Sequence, residues 1–195
     1  MENYTSMKII SVGDASVGKT SLYNAYTTGK PYSAVYTPTV FENHSMHATL
    51  DGLIKYILNL RDTSGLEDYD RLRPIAYLGA DAALVVFSLV SPISFKNVPE
   101  KWIPELRHYC ADVKFLLVGM KSDLPSNPEV VKRLYKEGSK PVEYDEGLQL
   151  SENIGAERYI ECSSVTMEGV HDVFTEAMRI FPKPKEPEQK SCVIF

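Results

Sequence analysis

The sequence predicts an α/β domain: a mostly parallel β-sheet with helices on both faces and one antiparallel edge strand. Three observations carry this expectation. Short, nearly continuous apolar runs recur at KIISV (8–12), AALVVFSLV (82–90), KFLLVG (114–119) and RYIECS (158–163). Strands covered on both faces have that composition, because neither face meets water. Helical candidates lie between them at 18–28, 94–109, 147–154 and 169–180. Finally, Asp51 and Gly52 join HSMHATL to LIKYILNL, and a DG pair between strand-like stretches is the strongest short-range hairpin signal.

Each element follows in order. The run at 8–12 is the first strand, and a glycine-bearing turn leads from it into the helix at 18–28. The hairpin supplies the antiparallel edge. From 82 onward strands alternate with helices. In the last helix Val170, Val173, Phe174, Ala177 and Met178 recur at helical spacing and mark one apolar face. From Pro182 the chain reads PKPKEPEQKS, proline- and charge-rich as an extended linker is. We expect one domain over 1–181 and a tail over 182–195.

A chain of 195 residues can bury the core of one domain. With 24% charged and 44% apolar residues it is globular in composition. The net charge of −5 argues against a nucleic-acid surface. No apolar run approaches the roughly 20 residues that span a bilayer. The start, MENYTSMK, lacks a signal-peptide core, and Glu2 excludes the glycine that myristoylation needs. Three cysteines, an odd and sparse count, suggest a reducing, cytosolic setting. Cys110 and Cys162 adjoin apolar stretches and read as buried, inert thiols; Cys192 is fourth from the end.

Directly after the first strand comes GDASVGKTS, Gly13 to Ser21. It fits G-x-x-x-x-G-K-[ST] through Gly13, Gly18, Lys19 and Thr20, between a strand and a helix. Glycines let backbone N–H groups converge on phosphate oxygens, and the helix N-terminus adds a positive dipole. Gly13, Ala15, Ser16, Val17, Gly18 and Ser21 are therefore candidate nucleotide contacts. Lys19 would reach the β- and γ-phosphates, and the Thr20 hydroxyl would ligate Mg²⁺. The alternative is an ordinary glycine turn with a solvated lysine, which needs no strand–loop–helix setting.

ATPases, nucleotide kinases and GTPases all use such loops, so the base-reading residues decide the class. After the strand ending at Gly119 comes MKSD, 120–123. A carboxylate there can accept two hydrogen bonds, from the guanine N1–H and 2-amino group. Adenine lacks that donor pair, so Asp123 would reject it by being left unpaired. Lys121 can lay its aliphatic stem along the base.

With these motifs in place, YTPTVFEN (36–43), DTSGLEDYDRLRP (62–74), FSLVSPISFKNVPEKWIPELRHYC (87–110) and ECSS (161–164) resemble a Rho-family small GTPase, nearest the Rac type. The likeness spans about residues 7–182 and the C-terminus. It implies a P-loop NTPase fold of the Ras-like G-domain kind, with about 124–142 similar to the helical insert of Rho proteins. It implies GTP/GDP and Mg²⁺ as cofactors and a monomeric G domain. Its implied partners are exchange factors, activating proteins, a dissociation inhibitor and effectors.

The resemblance also implies residue roles. Thr39 would ligate Mg²⁺ through its hydroxyl and meet the γ-phosphate through its N–H. Asp62 would hold Mg²⁺ through water, and the Gly65 N–H would sense the γ-phosphate. Both switches would be ordered by GTP and released by GDP. Tyr36 matches the tyrosine that covers the phosphates, and Tyr32 stands where a phenylalanine packs edge-on against guanine. Ser163 and Ser164 lie in the loop that contacts the guanine oxygen. Tyr36, Val40, Phe41, Glu42, Tyr69, Arg71 and Leu72 fall on the effector and exchange-factor surface.

Four positions depart from the family pattern. Leu66 stands where a glutamine orients the attacking water. Positioning and charge stabilisation carry phosphoryl transfer, and leucine offers a water neither donor nor acceptor. Ala15 replaces a glycine, and its methyl intrudes where that glutamine and an arginine finger must fit. Both changes push toward slow hydrolysis. Ser64 replaces an alanine, with no effect legible in the sequence. Met120 replaces Asn or Thr, and the lost hydrogen bond would loosen nucleotide binding by about 1 kcal/mol. The first switch, GKPYSAV, also carries one extra residue before Tyr36. Leu66 could instead fold onto the domain without chemical meaning, a reading that the flanking DTSG and EDYDRLRP disfavour.

The chain ends CVIF, a C-a-a-X pattern whose final Phe points to geranylgeranyl on Cys192. From Pro182 onward Lys183, Lys185 and Lys190 face Glu186 and Glu188, so the basic anchor is weak. One lipid and little charge predict reversible contact with the cytoplasmic face of membranes, the plasma membrane included, and a cytosolic pool. Three functional readings result: a slow GTPase switch in actin and membrane remodelling, a GTP-loaded effector-binding module, or an ATP-using P-loop kinase. MKSD and the lack of an acceptor-binding lid disfavour the last.

Overall fold

A computed structural model describes residues 4–32 and 41–181, apart from the Phe41 side chain. Tyr36, Thr39, Val40, the Phe41 side chain and the tail with Cys192 lie outside the described residues. The elements run β1 (Thr5–Val12), α1 (Lys19–Thr28), β2 (Phe41–Leu50), β3 (Ile54–Thr63), α2 (Pro74–Tyr77), β4 (Ala82–Ser88) and α3 (Pro92–Asn97). They continue with α4 (Ile103–Tyr109), β5 (Lys114–Met120), α5 (Pro128–Lys136), α6 (Tyr144–Ile154), β6 (Arg158–Cys162) and α7 (Val170–Ile180). The six strands are ordered β2-β3-β1-β4-β5-β6. Among the described residues only β2 and β3 pair antiparallel; β1 pairs parallel with β3 and β4, and β5 with β4 and β6. The expected sheet, with its antiparallel edge, is the sheet observed.

The apolar runs are continuous because each strand feeds two cores. Side chains alternate across a strand, so Ile9, Leu84, Val86 and Val118 pack with Leu22, Tyr23, Val173 and Phe174 of α1 and α7. Their neighbours Ile10, Val85 and Phe87 join Val98, Trp102 and Leu106 on the other face. At the hairpin both Asp51 (φ 50°) and Gly52 (φ 72°) are left-handed, as a type I′ turn demands.

The expected helix at 94–109 differs in form. It starts at Pro92, where the Ser91 hydroxyl accepts from the Ser94 N–H at 3.4 Å, and it passes through a π-helical turn at Val98–Trp102 before α4. Pro99 and Pro104 explain the break, since each removes an N–H and crowds the carbonyl four residues back. Helix α6 starts three residues before the expected 147. Glu143 and Glu146 form a capping box there, with glutamate in place of the usual Ser or Thr. Within 124–142 lies α5, capped by the Asn127 side chain, which accepts from Glu129 and Val130 N–H groups.

Candidate functional site

The end of β1 delivers the glycine loop onto the top of the sheet. Gly13 has φ 150°, and a Cβ there would lie 2.1 Å from the Val86 carbonyl oxygen, so only glycine lets the loop cross β4 this closely. Lys19, the first residue of α1, is buried, and its Nζ donates to the carbonyls of Gly13 and Asp14 at 2.7 Å each. Burial lowers its pKa to about 8, against the pull of Asp62 and Asp14. An ammonium has three donors; two are turned inward to the loop and a third remains for a phosphate oxygen.

Asp62, at the end of β3, is fully buried. Its carboxylate accepts from the Ser11 hydroxyl at 3.3 Å and from the Thr20 hydroxyl. Burial raises its pKa, opposed by Thr20, Lys19 and Ser11. A desolvated lysine and a desolvated aspartate at one loop mouth fit a bound anion and a bound cation together. The residues present therefore suit a nucleotide phosphate at Lys19 and Mg²⁺ at Thr20 and Asp62. Thr39, the third expected metal ligand, lies outside the described residues, as does Tyr36.

The loop after β3 lies directly on the phosphate loop. A Cβ on Gly65 would sit 2.4 Å from the Gly13 oxygen, the Asp14 carbonyl carbon and the Ala15 nitrogen. Ser64, whose effect the sequence did not reveal, has a structural part here. Its hydroxyl accepts the Leu66 N–H at 3.3 Å and its carbonyl accepts Arg73 Nη1 at 2.9 Å. Leu66 is extended and half-buried, and its side chain belongs to neither core. Ser64→Ala should cost about 0.5–1 kcal/mol through the lost turn hydrogen bond, read as a lowered Tm. An unchanged Tm would mean that water replaces the hydroxyl without loss.

Sequence reasoning missed Arg73. Its buried guanidinium meets the Glu105 carboxylate through Nε at 2.7 Å and Nη2 at 2.9 Å, and also pairs with Asp70. Tyr77 donates to the same Glu105. Thirty-two positions separate Arg73 from its partner, so no local pattern could have found the pair.

At the other end of the site, Asp123 accepts the Ser163 hydroxyl at 2.6 Å, and Ser163 accepts the N–H groups of Val165 and Thr166 at 3.1 Å. Lys121 donates to the Ser16 carbonyl at 2.8 Å, tying this loop to the phosphate loop. The Tyr32 N–H donates to the Ser164 carbonyl at 2.8 Å. Lys121, Asp123, Tyr32, Ser163 and Ser164 are thus brought together. Val17 is buried in the core, which leaves its backbone for a ligand, while Ser16 is exposed and Ala15 and Ser21 are half-buried.

Met120 is fully buried, with its Sδ 3.2 Å from Cys162 Sγ and its Cε 3.1 Å from where a Cβ on Gly18 would stand. Burial pushes the Cys162 thiol to about 12, an inert sulfur. The thioether accepts only a weak hydrogen bond from the Cys162 thiol, and otherwise fills space between the loops without offering either one a donor. Met120→Asn should slow GDP release about fivefold, the worth of one ordinary hydrogen bond. Equal or faster release would show that packing, rather than a polar tie, is what this position supplies.

On the surface expected to meet partners, Glu42, Arg71 and Leu72 are exposed and Tyr69 is half-buried. Leu72, Ile75 and Leu78 present large apolar side chains to solvent at 58%, 65% and 73% exposure.

A family model described as the Ras family matches residues 8–183. Proteins of that family are small GTPases that bind guanine nucleotides, typically with Mg²⁺, and interact with regulators and effectors. The match begins in β1, takes in the phosphate loop and the Asp62 and Asp123 loops, and runs past the end of α7. On that span, the chain belongs to the Ras family.

Proposed function

We propose that the protein is a Rho-type, Rac-like GTP/GDP switch whose own hydrolysis of GTP is slow. Leu66 carries the proposal. It follows Gly65, which lies on the phosphate loop, and its backbone is held by Ser64 and approached by Arg73 at 3.5 Å. The side chain that follows so fixed a backbone has no polar atom with which to orient a water.

The remaining residues bind and orient. Lys19 takes the β- and γ-phosphates, and the backbone from Gly13 to Gly18 surrounds them. Thr20 and Asp62, with Thr39, hold Mg²⁺, which when bound neutralises charge building on the phosphate oxygens. Gly65 offers its N–H to the γ-phosphate. Asp123 and Lys121 read and flank guanine, with Tyr32, Ser163 and Ser164 around it. Val40, Phe41, Glu42, Tyr69, Arg71 and Leu72 meet effectors and exchange factors, and a prenyl group on Cys192 gives reversible membrane contact. The segment at about 124–142 is the Rho-type insert, and actin and membrane remodelling is the process we assign.

A second reading, a GTPase-deficient module that stays GTP-bound, is favoured by the crowding at Ala15. Gly65 packs on the backbone of this loop, where a Cβ on it would stand 2.4 Å from the Ala15 nitrogen. The Ala15 methyl adds bulk, which a glycine would not, where an incoming arginine from an activating protein must fit. The nucleotide content of protein isolated from cells tests both readings. Mostly GTP is the expected result, and GDP alone would contradict them.

A further inference from the structure

Asp14 is the one acidic residue in the loop from Gly13 to Ser21. A carboxylate beside phosphates is repulsive, and Asp14 is near enough to Lys19 to act on it through charge. Its side chain is drawn off by two donors from the helical stretch beyond β4. Asn97 Nδ2 donates to Oδ2 and Trp102 Nε1 donates to Oδ1, each at 2.7 Å. One donor thus holds each oxygen. The Trp102 indole is almost fully buried, so its N–H needs a partner inside the protein. Two cations lie by the same indole, Arg73 at 4.8 Å and Lys101 at 5.0 Å from the ring centroid. They draw electron density from the ring and strengthen its N–H as a donor.

We propose that Trp102 and Asn97 are positioning residues for nucleotide binding: by holding both oxygens of Asp14, they keep its carboxylate out of direct contact with Lys19 and the phosphates. The π-helical turn forced by Pro99 and Pro104 has a consequence here, since it carries Trp102 to the phosphate loop. Through Arg73, the same indole also joins that loop to the segment bearing Arg71 and Leu72. A carboxylate freed from these donors would compete with phosphate for Lys19 or repel it.

The test is release of fluorescently labelled GDP from the full chain, chased with excess unlabelled GDP. Trp102→Phe keeps the ring and removes the N–H, and release should become about fivefold faster, the effect of one lost hydrogen bond. Because the cause is charge, that acceleration should shrink as salt is raised. Adding Asp14→Asn to Trp102→Phe should return release to within about twofold of the unsubstituted rate, which a purely structural role for Trp102 would not allow. Should Trp102→Phe not fold, Asn97→Ala carries the same salt and rescue arms through the other oxygen. Unchanged release in the folded single variant overturns the proposal. So does a double variant that releases as fast as the single one.

Discussion

Asparagine in place of Asp123 is expected to lower affinity for GTP and GDP by at least about a hundredfold, with a partial gain for xanthine nucleotides. The carboxylate would accept from both guanine N1–H and the 2-amino group, and hydrogen bonds to a charged acceptor are the stronger kind. An amide turns one acceptor into a donor, which opposes the 2-amino group and suits the 2-oxo group of xanthine. The Ser163 hydroxyl donates to Asp123 Oδ1 at 2.6 Å, and an asparagine Oδ1 can still accept it. The variant therefore keeps its loop and reports base recognition. Competition of GTP, XTP and ATP for the labelled-GDP site measures the effect. Unchanged GTP affinity in the variant would remove Asp123 from the base site.

What the sequence made legible is what short-range rules govern. The strands β1 and β4 to β6 announce themselves because both faces are apolar. The hairpin shows because Asp51 and Gly52 are the residue types that tolerate two left-handed conformations. The glycine loop shows because its chemistry needs Gly13 and Lys19 at fixed spacing. Hidden in the sequence were features that depend on distant partners. Arg73 with Glu105 is one, and Asp14 with Trp102, 88 positions apart, is another. The π-helical turn had a signal in Pro99 and Pro104, yet a helical pattern of apolar residues runs over it. Ser64 was opaque for a different reason: its hydroxyl serves a backbone N–H two residues on, a role set by conformation rather than by any motif.

Glutamine at Leu66 is the second large expectation: GTP hydrolysis in the Leu66→Gln variant should be at least about tenfold faster, roughly 1.4 kcal/mol of barrier. Gly65 already lies on the phosphate loop, and the Leu66 N–H is bonded to Ser64. Only the side chain is changed, from one that cannot hold a water to one that can. On the proposed reading the Ala15 methyl limits the gain, so adding Ala15→Gly should raise the rate further, and these neighbouring changes should couple.

The most direct measurement is single-turnover release of phosphate from GTP-loaded protein, with the unsubstituted chain and Leu66→Gln followed side by side. Slow release is expected from the unsubstituted chain, and release at least about tenfold faster from the variant. Equal rates in the two would contradict a catalytic defect at this position, because Leu66 would then not be what holds hydrolysis back.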